Sequence, residues 1–392
     1  MSTEALITDL AGVEDVVRRC RIAGRFALDF EFLWERTYKP IACLAQIATE
    51  DFVALIDPIA GAPLEPLVAI VEDDAVETVM HAPSADLTLL ALHFGVVPRS
   101  IVDVQLVAGF VGIGAGQSLG TLLERGLGLH LAKAESYSDW SRRPLTAAQL
   151  DYAADDVRHL LALRDRLEGH ATDLGRWEWV REEHRLRYGP DARFTTDPDE
   201  AWRKVKGHGR LSSRERAVLR EVAAWREREA LRRDRPPAWL LQDRLALDIA
   251  KRAPTNREAL GRVRSLDEKI RDREAHELLD AVARGIAAPE IELPRPFRPD
   301  LAQRLAVLGA IGQLLVSVRA EAAALAAPLI ATRDDVESFV AARLSGDGAE
   351  HPLGMGWRKE LAGDALAALA DGRLAVAPAP DPPYLVEIDR AT

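Results

Sequence analysis

The chain has 392 residues, 48% of them hydrophobic and 29% charged, with a net charge of −11 and two cysteines, Cys20 and Cys43. Such a composition describes a globular chain with ample core, long enough for two or three domains. The acidic balance excludes a generic nucleic-acid coat but not a local basic surface, and the lack of any Cys-x-x-Cys argues against a thiolate zinc site or a disulfide framework and for a reducing compartment.

The first stretch, "MSTEALITDLAG", carries acids and no basic segment, so no secretory signal is expected. From there to about residue 170, strand-like and helix-like segments alternate. "RFALDFEF", "ACLAQIAT", "FVALID" and "VETVMHA" are short, apolar and punctuated, as strands are. "ADLTLLALHF", "SLGTLLERG" and "TAAQLDYAADDVRHLLALRDRL" carry helical spacing. The alternation predicts an α/β domain over residues 1–170. Strand signals then stop. "GRWEWVREEHRLR" reads as a helix and "YGPDARFTTDPDE" as turn-rich, so residues 171–204 are expected to form a helical linker.

Two all-α blocks are expected next, at 205–285 and 295–380, parted by the Pro-rich "APEIELPRPFRPD". In the first, a helix carrying Val218, Leu219, Val222, Trp225 and Ala230 should end at "RDRPP", because Pro cannot continue a helix interior. "PTNREALGRV" reads as a helix entered through Thr255. The second block holds "HPLGMGWRKELAGDALAALADG" and the longest apolar window, Leu305–Val318, which contains Gln313 and Ser317 and is too short to span a bilayer. A cytoplasmic chain without membrane contact is therefore expected.

Charge is unevenly placed. Residues 201–264 hold 18 Lys and Arg against 8 Asp and Glu, a strong positive surplus inside an acidic chain. Lys204, Lys206, Arg232, Arg233, Arg235, Lys251 and Arg252 stand out in clusters. For any one of them a solvated helix surface is the simpler account; for the segment as a whole, a nucleic-acid footprint is at least as good.

The chemistry is concentrated in acids. Asp29 and Glu31 lie two apart in an aromatic strand, hence on one face, where like charges repel and apolar neighbours disfavour ionisation. Asp86 opens an apolar helix just after a strand. Tyr152 and Asp156 lie four apart on one helical face, with Asp155 as a rival that helix geometry does not exclude. If these acids converge they need counter-charge, which hard divalent cations supply through oxygen ligands. Two such ions can clamp the attacking and leaving oxygens of phosphoryl transfer.

The three acidic stretches, in this order, resemble the three motifs of the DEDD superfamily of 3′–5′ exonucleases, and the Tyr four residues before the last Asp is similar to the DEDDy subgroup. "LAKAESYSDWSRRPLTAAQLDYAADDVRHLLAL" resembles ribonuclease D, and "AAWREREALRRDRPPAWLLQDRLALDIAKRAPTNREAL" resembles an HRDC domain. The block ending "GWRKELAGDAL" resembles a divergent second HRDC domain. The resemblance implies a ribonuclease-H-like α/β exonuclease domain followed by two helical HRDC modules. It implies Asp29, Glu31, Asp86 and Asp156 as metal ligands, two Mg or Mn ions, and Tyr152 as the residue that orients or deprotonates the attacking water. Phe30 stands where the family commonly has Thr; it points away from the acids in a strand, so packing rather than metal binding should differ.

The implied substrate is RNA with a free 3′ end, especially tRNA precursors, cut to nucleoside 5′-monophosphates, with no obligatory protein partner. A DNA 3′–5′ exonuclease and a non-catalytic nucleic-acid scaffold are the alternatives, the second disfavoured by the intact acids. "GIGAGQSLG" lacks the spacing of a dinucleotide fingerprint and reads as a loop. His81 is expected to be structural. A fragment ending near Glu200 is expected to keep cleavage of short oligomers.

Overall fold

The computed structural model describes residues 6–131, 138–268, 270, 274–292, 299–345, 350–381 and 384–390. Lys133, part of the ribonuclease D-like run, and the Pro-rich stretch 293–298 lie outside the described residues.

The first domain runs α1 (Leu10–Ala23), β1 (Arg25–Leu33), β2 (Ile41–Ala48), β3 (Val53–Ile56), α2 (Glu65–Val71), β4 (Glu77–Met80), α3 (Ser84–Phe94), β5 (Ile101–Asp103), α4 (Val104–Phe110), α5 (Leu119–Leu127), α6 (Ala147–Arg158), α7 (Leu160–Asp173) and α8 (Trp177–Tyr188). The strands form one mixed sheet in the order β3-β2-β1-β4-β5, antiparallel on the β2–β3 side and parallel on the β4–β5 side. β1 is central. Its Phe26, Leu28 and Phe30 are buried in the main core, so strand alternation sends Asp29 and Glu31 to the opposite face. Asp29 pairs with Gln46 and Glu31 with Leu44, and the register slips just after Glu31. The extra residue is Cys43, so β2 is the bulged strand, and the local twist of the pair increases there.

Two departures from the sequence-based expectation shape this domain. The segment 146–167 is two helices, α6 and α7, that meet at His159. The break frees α7 to pack against α4 and α5 while α6 lies across β1, β2 and β3. Strand β5 is the second: its three residues are too few to show a period, and the sequence does not announce it.

The first helical block has a core of its own, built from Trp202, Val218, Val222, Trp225, Ile249, Leu278 and their neighbours. Its long helix α9 (Ser213–Arg233) starts in a Ser212–Glu215 capping box and stops at Asp234, whose φ is 50°. The short helix Arg257–Gly261 is capped one residue later than expected: Asn256, not Thr255, accepts the Ala259 N–H at 2.8 Å.

The second block differs in kind. Its helices Pro299–Ala322, Arg333–Ser345 and Asp364–Ala370 bury Leu315, Val316, Val336, Phe339 and Leu366 in the same core as the first domain. Trp357 meets Phe110 edge-on at 5.2 Å and stacks on Trp179 at 5.5 Å. A Cβ on Gly109 of α4 would lie 2.5 Å from the Leu329 side chain, so glycine permits the close approach. Arg358 pairs with the buried Glu183 of α8 at 2.6 Å. The block is not wholly α: Leu374–Pro378 and Leu385–Asp389 form an antiparallel hairpin. Leu301–Ala322 is long and apolar enough to cross a bilayer by length and composition, more than the window 305–318 suggests; one face of it is buried in the shared core, and Arg319 pairs with Glu387 of the hairpin at 2.6 Å.

Candidate active site

α6 crosses the acidic face of the sheet and completes the site. A Thr146–Gln149 capping box sets its start, and Ala153, Ala154 and Val157 bury its inner stripe. Tyr152 and Asp156 then point at β1. Carboxylate oxygens of Asp29, Glu31 and Asp156 lie within 4.8 Å of one another. Asp86, in the first turn of α3, acts on both Asp29 and Glu31 as a charged neighbour. Asp155 instead pairs with Arg158 at 3.0 Å. The Tyr152 hydroxyl donates to Asp156, and its ring packs 6.0 Å from that of Trp140.

The electrostatics are those of crowded acids. Burial pushes Asp29 well above the usual carboxylate range, and Asp86, Asp156 and Glu31 push it further. Burial, then Asp156 and Asp86, raises Glu31 to about 8. Asp156 is raised to about 7, chiefly by burial and against the Tyr152 hydrogen bond. Asp86 is raised by burial, partly offset by backbone N–H groups of its own residue and Phe30. Burial and the nearby acids raise Tyr152 as well, so it remains a neutral phenol.

Oxygen-only donors, mutual repulsion and a buried Asp86 Oδ1 that meets no hydrogen-bond donor among the described residues fit a hard divalent cation.

One expectation concerns stability without metal. Unfolded carboxylates release their protons near pH 4. The folded site holds protons on Asp156 to about pH 7 and on Glu31 to about pH 8. Between these limits the folded state binds more protons, so stability falls as pH rises. Thermal melts of the metal-free protein should show a midpoint that drops between pH 5 and pH 8 relative to Asp156→Asn, and Mg²⁺ should restore more at pH 8 than at pH 5. An equal response at both pH values contradicts the arrangement.

Comparison with known proteins agrees with this chemistry. Residues 5–170 match the family described as 3′–5′ exonuclease, and residues 215–282 match the HRDC domain. Ribonuclease D of Acidiphilium cryptum is 37% identical over 353 residues, 89% of this chain and 88% of that protein. Ribonuclease D of Nitrobacter hamburgensis is 35% identical, over 95% and 96%. The chain belongs to the ribonuclease D family. The crystal structure of Escherichia coli RNase D, described as an exoribonuclease involved in structured RNA processing, superposes with a TM-score of 0.78 at 29% identity, covering 95% of this chain and 99% of that one. The chain is thus a metal-dependent 3′–5′ exoribonuclease with one recognised HRDC domain; the expected count of two is not met by the family match.

Several supports of the ribonuclease D site are not evident in the sequence. Arg143 grips the fully buried Asp57 with two hydrogen bonds of 2.5 Å and donates to the Cys43 and Trp140 carbonyls at 2.8 Å. This ties the segment before α6 to β2 and β3, and so positions Tyr152 and Asp156. Losing Arg143 would strand a buried carboxylate, at a cost of ~3–5 kcal/mol. Asp103 Oδ1 accepts the N–H of Ala82, whose φ of 52° marks a strained turn before α3, and Asp103 Oδ2 accepts the Tyr188 hydroxyl. His184 Nε2 accepts the Asp103 N–H at 2.8 Å while Nδ1 donates to the Val180 carbonyl, and burial lowers its pKa. Gln46 is fully buried beside Asp29, and neither end of its amide finds a partner among the described residues. The one signal of it in the sequence is the polar break that Gln46 makes in the apolar run "ACLAQIAT".

The basic residues are unequal: Arg233 is half-buried and the other six are exposed. Arg232 and Arg233 both engage Glu229, Arg233 also meets Glu274 at 2.6 Å, and Arg252 pairs with Asp248 at 2.8 Å. Lys204 donates to Thr196 at 2.8 Å. His81 bonds the Gln117 carbonyl at 3.0 Å, in keeping with a structural place.

Proposed function

We propose that this protein trims 3′ extensions of tRNA precursors and other stable RNA in the cytoplasm, releasing nucleoside 5′-monophosphates. Asp29, Glu31, Asp86 and Asp156 hold two divalent ions, Mg²⁺ or Mn²⁺, in this reading. Bound there, the ions would neutralise phosphate charge and activate water. The chain's own groups do the rest: Tyr152, as a neutral phenol next to Asp156, orients the water, and the α6 anchor through Arg143 keeps both in place. The observation that carries the proposal is the meeting of Asp29, Glu31 and Asp156 within 4.8 Å under the Tyr152 hydroxyl.

Matched RNA and DNA oligonucleotides labelled at the 5′ end provide the test. A ladder shortening from the 3′ end of RNA, present only with Mg²⁺ or Mn²⁺, is expected; equal or faster shortening of DNA favours a DNA exonuclease, and no shortening of either favours a binding scaffold. The block after residue 299 is read as a divergent second HRDC module on the resemblance of "GWRKELAGDAL" alone.

Residues 201–264 are proposed to grip RNA phosphates through Lys204, Lys206, Arg232, Arg233, Arg235, Lys251 and Arg252. A fragment ending near Glu200 is a poor test, because it also removes Leu329 and Trp357 and uncovers the first domain's core. Reversing Arg232 or Arg233 would also break their ion pairs with Glu229. Lys206→Glu, Arg235→Glu and Lys251→Glu in the full chain are cleaner. For every phosphate that a variant no longer neutralises, the plot of log affinity against log salt should flatten by about 0.7 for single strands. Unchanged slopes in all three would mean a solvated surface only.

A further inference from the structure

We infer that Asp103 is the positioning residue of Asp86: its side chain fixes the turn from which α3 starts and so sets where the Asp86 carboxylate meets Asp29 and Glu31. This rests on the reading of Asp86 as a metal ligand and adds the group that places it.

Asp86 reaches the cluster from the first turn of α3, not from the sheet, so the start of that helix decides where its carboxylate lies. The start carries no cap of its own. Pro83 stands at the N-cap and offers no side-chain acceptor. The chain enters it through Ala82 at a φ of 52°, a region that disfavours a Cβ. Ala82 is exposed, so packing of its side chain does not hold the turn either. Asp103 supplies the tie, its Oδ1 accepting the Ala82 N–H at 3.0 Å. From there to Asp86 the path is short. The Ala82 carbonyl accepts the Ser84 N–H at 2.9 Å, the Pro83 carbonyl accepts the Leu87 N–H at 2.8 Å, and Asp86 lies within that turn.

Asp103 is also the N-cap of α4, but a cap needs one acceptor, which Ser, Thr or Asn supply as well. Here Oδ1 accepts the Gln105 N–H at 2.9 Å in addition to that of Ala82, and Oδ2 accepts the Tyr188 hydroxyl at 2.7 Å. The residue is 3% exposed, and among the described residues no Lys or Arg pairs with it. Neutral donors thus stand in for a counter-ion around a buried carboxylate, an arrangement that stability alone does not favour.

Asp103 is itself held firmly. It pairs in register with Met80 at the end of β4, two residues before Ala82. Its N–H donates to His184 Nε2 at 2.8 Å. His184 and Tyr188 lie one turn apart on α8, so one helix grips Asp103 by backbone and side chain together.

The test is the affinity of full-length variants for Mn²⁺, read by calorimetric titration well below their melting temperatures. Asp103→Ser keeps an acceptor for the cap of α4 but is too short to hold Ala82 as well. Asp103→Asn keeps Oδ1 for both N–H groups and presents Nδ2 to the Tyr188 oxygen, which can accept. Asp103→Ser should bind Mn²⁺ roughly 10- to 100-fold more weakly than the wild type, the range usual when a group that orients a ligand is lost. Asp103→Asn should restore most of that affinity, which a loss of packing alone does not predict. Asp103→Thr, a cap that fills more of the space, provides the same comparison where Asp103→Ser does not fold. Wild-type affinity in Asp103→Ser or Asp103→Thr, or an equal loss in Asp103→Asn, overturns the inference and leaves Asp103 as the cap of α4. The two readings fail separately: if the wild type takes up no Mn²⁺ and gains no thermal stability from it, the metal reading falls and takes this one with it.

Discussion

Asp156→Asn should remove RNA cleavage almost entirely while leaving a protein that melts at a higher temperature without metal. The two effects have one origin. Asp156 shares a space of 4.8 Å with Asp29 and Glu31, and burial and its neighbours raise Glu31 to about 8. Neutralising one member relieves repulsion in the empty site, and the same change weakens the hold on cations that supply several kcal/mol of transition-state stabilisation. At about 1.4 kcal/mol per tenfold, the rate should fall about a thousandfold or more. Asn at positions 29 or 86, or Gln at 31, should behave alike. Asp155→Asn is the control: that carboxylate is paired with Arg158 and stands outside the cluster, so cleavage should stay near wild type. If the effects of the two variants were reversed, Asp155 would be the true member.

Tyr152→Phe should separate chemistry from metal binding. The ring keeps its packing against Trp140, but the hydroxyl that donates to Asp156 is lost. Loss of a positioned proton-transfer or water-orienting group costs roughly 10²–10⁴ in rate. Calorimetric titration with Mn²⁺ should give nearly the wild-type affinity, and single-turnover kinetics should show the loss in the chemical step. A collapse of metal affinity with an intact chemical step would make Tyr152 a structural support for Asp156 instead.

Much of the catalytic domain is written locally. β1 to β4 follow from apolar runs of strand length, and the acids of β1 from period-two alternation. α6 follows from its cap and its apolar spacing. What is hidden depends on partners distant in sequence or on elements too short to have a period. β5 has three residues. The break at His159 carries neither Pro nor Gly, and packing against different partners decides it. Arg143 is one basic residue among many until Asp57, far away in the chain, takes its guanidinium. The sharing of one core by the first and last blocks has no sequence signature, because each contributes an ordinary amphipathic surface. The pairing of Arg232 and Arg233 with Glu229, by contrast, is legible in its helical spacing.

The path of the chain also sets a timetable. Phe110, on the outer wall of the nuclease core, waits for Trp357, and between them the ribosome must make the whole HRDC domain. At about 5–20 residues per second that interval is roughly 10–50 s. Once residue 282 is made, the HRDC domain can close on its own core, while the nascent nuclease still shows the apolar face around Phe110. A premature stop codon before Leu329 removes the cover of both Gly109 and Phe110, and one between Leu329 and Trp357 removes that of Phe110.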